Sequence, residues 1–294
     1  MGWEAQIIIW LQSGSVKFLD YLMLILTQLG DELVFLLVGI VIYWCIDKRY
    51  AFKLVNVFLC CSVVINGIKA AVKRPRPFNK YEGSVRSIGS KTGGYSFPSG
   101  HSASITNLST QAYLKLRKTD CANKVLIGSI VVSFIVMFSR LYLGQHYLTD
   151  VLTGAAIGIG SAVLFSYLFE FLGDSEHKMV YVVFPLCVIV AIIILAVGTF
   201  DGAEDVIKVA GGYAAFTLGY YIEKRFVCYD VKSGKAWKYI VKVAVGAAVA
   251  FAIKEGLKAV FPADNLFLIG FLRYFLLAAW ATLGAPALFK AVKI

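Results

Sequence analysis

Long apolar runs, separated by short clusters of charge, constrain the fold of this chain more than any other feature. We identify ten such runs, at residues 5–29, 32–46, 51–71, 99–116, 123–142, 147–169, 179–199, 205–222, 238–260 and 265–289. A helix needs about 20 mostly apolar residues to cross the hydrocarbon of a bilayer, where no water satisfies its backbone. Charged residues make up 16% of the chain, against roughly a quarter in a soluble domain. The pattern predicts an all-α integral membrane protein with about ten transmembrane helices.

The first run is the weakest of the ten, because Ser13, Gly14, Ser15 and Lys17 interrupt it. Residues 5–29 form either one span or an interfacial helix followed by a short span.

The distribution of charge predicts an orientation. Ten spans would place most of the Lys and Arg clusters on one face, for example Lys48 and Arg49. Acidic residues occupy two connections on the other face: Asp31, Glu32, Asp201, Glu204 and Asp205. Cytoplasmic loops collect Lys and Arg, so both termini are expected in the cytoplasm. The same topology explains most of the net charge of +11, and no basic soluble module suggests a nucleic-acid partner.

One basic loop breaks this rule, because residues 73–91 lie on the face predicted to be extracytoplasmic. Such an exception predicts an anionic ligand. Three polar clusters lie at span ends on that same face. They are Lys69 with Arg76 and Pro77, then Pro98-Ser99-Gly100-His101, then Ser139-Arg140 with His146 and Asp150.

Each cluster has residues suited to phosphate chemistry. Pro98-Ser99-Gly100 opens a helix, whose first-turn amides form an anion site. His146 and Asp150 share one helical face at i and i+4, where the carboxylate can hold Nδ1–H and leave Nε2 as a nucleophile. Arg side chains present a fork that matches phosphate oxygens. Two imidazoles beside one phosphate can serve as nucleophile and as proton donor.

These clusters resemble the signature of the type-2 phosphatidic acid phosphatase (PAP2) superfamily. They match K-x6-R-P, P-S-G-H and S-R-x5-H-x3-D without a departure at any catalytic position. The resemblance covers roughly residues 20–172 and implies a core of about six spans. It also implies that His146 is the nucleophile, that Asp150 orients it, and that His101 is the general acid and later the base. The phosphate would be bound by Lys69, Arg76, Ser99, Gly100 and Arg140.

The resemblance further implies catalysis without a metal or other cofactor. We expect a catalytic core at residues 1–172 and a C-terminal extension of about four spans at 173–294, whose role the sequence does not indicate. The expected activity is hydrolysis of a lipid phosphate or diphosphate, such as phosphatidic acid, phosphatidylglycerol phosphate or undecaprenyl diphosphate, at the outer membrane boundary. Its expected partners are that substrate and the surrounding membrane lipids.

Several alternatives stay open. A phosphotransferase would pass the phosphoryl group to an alcohol, and a lipid transporter would use the same scaffold without chemistry. A vanadium haloperoxidase shares the motifs but is usually soluble, and a soluble substrate such as a sugar phosphate is a further alternative. The oligomeric state does not follow from the sequence.

Overall fold

The computed structural model describes residues 2–91, 93–197, 203–232, 235–261 and 267–294, and contains no strand in these ranges. Its helices are α1 (Trp3–Ser13), α2 (Lys17–Thr27), α3 (Glu32–Cys45), α4 (Lys48–Val72), α5 (Pro77–Lys80), α6 (Gly100–Leu116), α7 (Ala122–Tyr142), α8 (Leu148–Phe171), α9 (Val180–Val197), α10 (Ala203–Ile222), α11 (Ala236–Val260), α12 (Phe267–Ala279) and α13 (Ala285–Ala291). The predicted all-α class is therefore confirmed. One of the two acidic connections predicted from the sequence lies partly outside the described residues, which leave out Asp201 and the side chains of Glu204 and Asp205.

The predicted number of spans is not confirmed. Five stretches of the described chain are long and apolar enough to cross a membrane: Lys48–Lys80, Ala122–Tyr142, Leu148–Phe171, Gly173–Ala196 and Leu268–Ala291. A sixth arises if Lys17–Gly30 and Glu32–Cys45, which are bent by 50°, form one broken span. Other predicted spans are helical but shorter or more charged, such as the 17-residue α6 and the lysine-bearing α11.

The first predicted span, 5–29, is two helices rather than one. Helix α1 ends at Ser13, and α2 begins at Lys17. An 11-residue helix is about 16 Å long and is too short to cross the hydrocarbon. Trp3 and Trp10 on α1 are exposed, as suits a helix at a membrane interface.

The chain divides into two compact units, Met1–Gly39 with Lys53–Phe171 and Ile40–Phe52 with Leu172–Ile294. All three motif clusters fall within the first unit. The second unit buries its own ion pairs, including Lys48 Nζ to Glu223 Oε1 at 2.6 Å. The predicted domain division at residue 172 stays a prediction.

Close packing of α6 against α8 positions two of the clusters. A Cβ atom on Gly154 would lie 2.4 Å from the carbonyl oxygen of Ser99, and one on Gly158 would lie 2.4 Å from that of Ala103. Buried amides add contacts deeper in the bundle, where Asn107 Nδ2 donates to Ser161 Oγ at 3.2 Å. Because both glycines lack a side chain, the start of α8 reaches the backbone that opens α6.

Replacing Gly154 by alanine should separate these two helices. Alanine favours a helix by about 0.5–1 kcal/mol over glycine, but an added methyl against backbone costs about 1–3 kcal/mol. We expect lower thermal stability in detergent, measured as the loss of the folded peak on size-exclusion chromatography after heating. Gly160→Ala is the matched control, because nothing lies within 4 Å of its Cβ position. Equal stability of the two variants would contradict this packing argument.

Candidate active site

The Pro98-Ser99-Gly100-His101 segment begins α6, as expected from its sequence. Ser99 is the N-cap, and its Oγ accepts a bond from the Ser102 amide at 3.4 Å. The Ser99 amide itself donates to the backbone oxygen of Asp150 at 2.9 Å. The next amides, of Gly100 and His101, belong to a first turn that has no intrahelical acceptors for them. They are the amides suited to an anion.

His146 lies in the loop between α7 and α8 and is 2% exposed. Its Nδ1 is 2.8 Å from the carbonyl oxygen of Ser96. Because a carbonyl can only accept a hydrogen bond, this contact places the ring proton on Nδ1. Its Nε2 is then unprotonated, and Arg76 Nη1 lies 3.2 Å from it. The free lone pair of His146 therefore points to a cationic group.

The contact between His146 and Asp150 differs from the expected direct hydrogen bond. Asp150 Oδ2 is 3.7 Å from His146 Nδ1, beyond hydrogen-bond distance. Instead, Oδ2 accepts bonds from the Tyr147 amide at 2.9 Å and from the Ser96 hydroxyl. Asp150 thus acts on the imidazole as a nearby charge and through Ser96, whose carbonyl holds the Nδ1 proton.

Ser96 and Arg74 are two residues of this site that sequence reasoning missed. Ser96 contacts His146 through its backbone oxygen, and a backbone contact has no residue signature. Arg74 Nη1 donates to Asp150 Oδ1 at 2.6 Å. The only signal for Arg74 was its position in the basic run beside Arg76.

The cations of the first and third clusters are buried around the same point. Arg76 is 3% exposed and is held by the carbonyl oxygens of Gly93, at 2.8 Å, and Gln145, at 3.1 Å. Arg140 is 4% exposed; its Nη1 donates to Thr27 Oγ1 at 3.1 Å. Its buried Nε has no hydrogen-bond partner among the described residues, so it is a donor that an anion could satisfy.

Lys69 and His101 are the remaining predicted site residues, and both lie near the start of α6. A Cβ atom on Gly100 would be 3.7 Å from Lys69 Nζ, which brings the first cluster to the start of α6. His101 lies close enough to His146, Arg140 and Lys69 for their charges to interact. Its Nε2 is 3.9 Å from Asp31 Oδ2. The structure therefore brings all eight predicted site residues, from three separate clusters, into one region.

Burial controls the protonation of the candidate nucleophile. Removal from water lowers the pKa of His146 well below its usual value of 6.5, and the charges of Arg140 and Arg76 lower it further, whereas Asp150 opposes the change. The imidazole is therefore neutral at physiological pH, which is the form that a nucleophile requires.

Within the described residues, no group of three or more His, Cys, Asp or Glu side chains could hold a metal ion.

Comparison with known proteins shows the family and the fold. Residues 50–174 match the PAP2 superfamily, and residues 207–294 match the transmembrane extension of PAP2 superfamily phosphatases. In the solved structure of a transmembrane PAP2-type phosphatidylglycerolphosphate phosphatase from Bacillus subtilis, the fold is shared with a TM-score of 0.50 at 24% identity. That likeness covers 58% of this chain and 86% of the other. The chain belongs to the PAP2 superfamily and is an integral membrane protein.

Two relatives known by function are similar in sequence. Mouse sphingosine-1-phosphate phosphatase 1 is 27% identical over 226 residues, which are 70% of this chain and 50% of the mouse protein. Undecaprenyl-diphosphatase of Sulfolobus acidocaldarius is 24% identical, over 54% of this chain and 74% of that protein. The chain thus spans only about half the length of the mouse relative.

Proposed function

We propose that this protein is a lipid phosphatase that forms a phosphohistidine on His146. The observation that carries the proposal is the neutral, buried imidazole, whose unprotonated Nε2 lies 3.2 Å from the Arg76 guanidinium. A phosphoryl group that takes the place of this contact would meet a nucleophile and a charge-assisted donor together. The amides of Gly100 and His101, with Lys69 and Arg140, add further donors for its oxygens.

In the first step, Nε2 of His146 attacks phosphorus, and the bond between phosphorus and the lipid oxygen breaks. Burial and the neighbouring cations lower the pKa of His101, and the negative charge of a bound phosphate raises it again. His101 thus enters this step protonated and donates its proton to the leaving oxygen. The imidazole becomes positively charged while Nδ1–H stays on the Ser96 carbonyl, and Asp150 stabilises the charge from 3.7 Å. The buried cations stabilise the phosphoryl oxygens where charge develops.

In the second step, His101 removes a proton from water, and the resulting hydroxide oxygen attacks phosphorus. The bond between phosphorus and Nε2 breaks, inorganic phosphate leaves, and the imidazole regains its lone pair. An alcohol in place of water would give the phosphotransferase alternative by the same route.

A lipid phosphate is the substrate class favoured by the relatives. Their names specify sphingosine 1-phosphate and undecaprenyl diphosphate, which are lipids with a terminal phosphate or diphosphate. We propose that the site opens to the extracytoplasmic face, because the basic loop at 73–91 is the exception to the positive-inside pattern. The cytoplasmic position of both termini depends on an even number of spans and stays a prediction.

A phosphate-release panel tests the proposed function. The purified full chain in detergent would receive phosphatidic acid, phosphatidylglycerol phosphate, sphingosine 1-phosphate and undecaprenyl diphosphate, each with EDTA present. We expect release of phosphate from at least one lipid, undiminished by EDTA. Adding a short alcohol and analysing products by mass spectrometry separates hydrolysis from transfer. No release from any of the lipids would contradict the proposal.

The protonation state of His146 can be measured directly. We expect nitrogen NMR of histidine-labelled protein to show a neutral ring with Nδ1–H from about pH 8 down to about pH 5, because burial disfavours the cation. The chain has three histidines, so the spectrum of a His146→Ala variant identifies the resonance. A titration midpoint at or above 6.5, the ordinary value, would contradict the expectation.

A further inference from the structure

Arg74 occupies an unspecified position of K-x6-R-P, and it contacts Asp150 beside the candidate nucleophile. Its Nη1 donates to Asp150 Oδ1 at 2.6 Å and to Thr149 Oγ1 at 2.7 Å. Its Nη2 donates to Glu4 Oε2, also at 2.6 Å. One guanidinium therefore joins a buried carboxylate at the start of α8 to a carboxylate on α1.

Three further contacts fix this guanidinium and the helix that it reaches. The Arg74 guanidinium lies 3.9 Å from the centre of the Tyr147 ring, where a cation is attracted to the aromatic face. Glu4 Oε1 accepts bonds from the Thr149 amide at 2.9 Å and the Thr149 hydroxyl at 2.7 Å. Glu4 thus caps the first turn of α8, although it lies outside the part of the chain that matches the PAP2 family, residues 50–174.

The two oxygens of Asp150 have separate partners. Arg74 holds Oδ1, whereas Oδ2 accepts from the Tyr147 amide and the Ser96 hydroxyl. This division fixes the plane of the carboxylate. Because the Ser96 carbonyl oxygen also accepts the hydrogen bond from His146 Nδ1–H, the orientation of the imidazole depends on the same set of contacts.

We propose that Arg74 is a positioning residue for Asp150, and that Glu4 uses the same guanidinium to fasten α1 across the start of α8. This inference rests on the proposed function and extends it to two residues that the signature does not specify. A planar fork with several donors can bridge Asp150, Thr149 and Glu4 together. A lysine ammonium in the same place would retain the charge without that geometry.

Arg74 also sets the charge balance around His146. The charged or titratable groups that face the imidazole are Asp150 from α8, Arg140 from α7, Arg76 from the segment before α5, and His101 from α6. Arg74 neutralises the only carboxylate among them. Removing Arg74 leaves Asp150 free to attract a proton to His146, so a larger fraction of the nucleophile becomes protonated at a given pH.

The test compares Arg74→Gln, Arg74→Lys and Glu4→Gln in the full chain, with the lipid that the unmodified protein hydrolyses fastest. We expect Arg74→Gln to lower kcat roughly 10- to 100-fold through misplacement of the reacting group, with little change in KM. The fall in kcat at low pH, which is the acidic limb of its pH profile, should move to higher pH. Arg74→Lys should restore the position of that limb and recover only part of kcat.

Glu4→Gln separates the role of α1 from the role of charge. It should leave the pH profile in place, and it should speed hydrogen exchange of the backbone amides in residues 3–13, because an amide cannot replace the carboxylate in its pair with Arg74. Melting temperatures of all three variants report their stability, and kcat is normalised to the folded fraction measured by size-exclusion chromatography.

The outcomes distinguish this inference from the proposed function. An active protein whose Arg74→Gln variant keeps its kcat would overturn the inference alone. A lower kcat with an unmoved pH profile, or the same loss in Glu4→Gln, would assign Arg74 to folding only and would also overturn it. A protein inactive on every lipid phosphate would instead overturn the proposed function.

Discussion

Replacing His146 by alanine is expected to lower phosphate release by roughly 10⁴-fold or more, because loss of a nucleophile removes the covalent route altogether. The imidazole is 2% exposed, so its loss leaves a small cavity. Initial rates of phosphate release, measured with the best lipid of the panel, would report the effect. Binding of the lipid should persist, since the cations that hold the phosphate remain.

His177→Ala is the matched control for this experiment. That histidine lies in the polar segment before α9, where its Nδ1 contacts the backbone oxygen of Asp174 at 3.1 Å, and it belongs to none of the three clusters. We expect its activity to equal that of the unmodified protein. Hydrolysis at an undiminished rate by the His146→Ala protein would exclude the proposed nucleophile.

Replacing Arg140 by methionine should give the second-largest effect. One preorganised donor at a site of developing charge contributes about 2.7–4 kcal/mol, or roughly 10²- to 10³-fold in kcat. Arg140 is buried and its Nε has no hydrogen-bond partner in the described part of the chain. An apolar side chain of similar volume often leaves stability unchanged or raises it when it replaces a buried charge.

Activity and stability should therefore move independently in Arg140→Met. We expect kcat to fall while the melting temperature in detergent stays the same or rises. Arg117→Gln, an exposed position after α6, is the control and should change neither quantity. A parallel fall of both quantities in Arg140→Met would mean that Arg140 supports the fold rather than the phosphate.

The sequence was sufficient to name the residue types of the candidate site. Lys69, His101 and His146 could be selected because phosphate transfer needs cations and imidazoles, and because the apolar runs on either side placed them at helix ends. The all-α class followed from the same runs, since hydrocarbon admits few other structures. These inferences depend on local patterns, which a single sequence contains.

The contacts within the site could not be predicted. The expected bond from Asp150 to the His146 ring is replaced by a bond to the Ser96 carbonyl, because tertiary packing brings a backbone oxygen closer than the i+4 side chain. Glu4 reaches Thr149 across 145 positions, and no local pattern links them. The span count is not confirmed for a related reason: α6 carries polar side chains that pack inside the protein, as Asn107 does against Ser161.

Chemical trapping of the intermediate is the most direct test of the mechanism. The full chain would be mixed with a lipid substrate labelled with ³²P at its terminal phosphate and quenched within milliseconds under alkaline conditions, where phosphohistidine survives. The mechanism predicts label on the protein that is lost in acid and maps by mass spectrometry to His146. Rapid phosphate release without any label on His146, or with label on another residue, would contradict it.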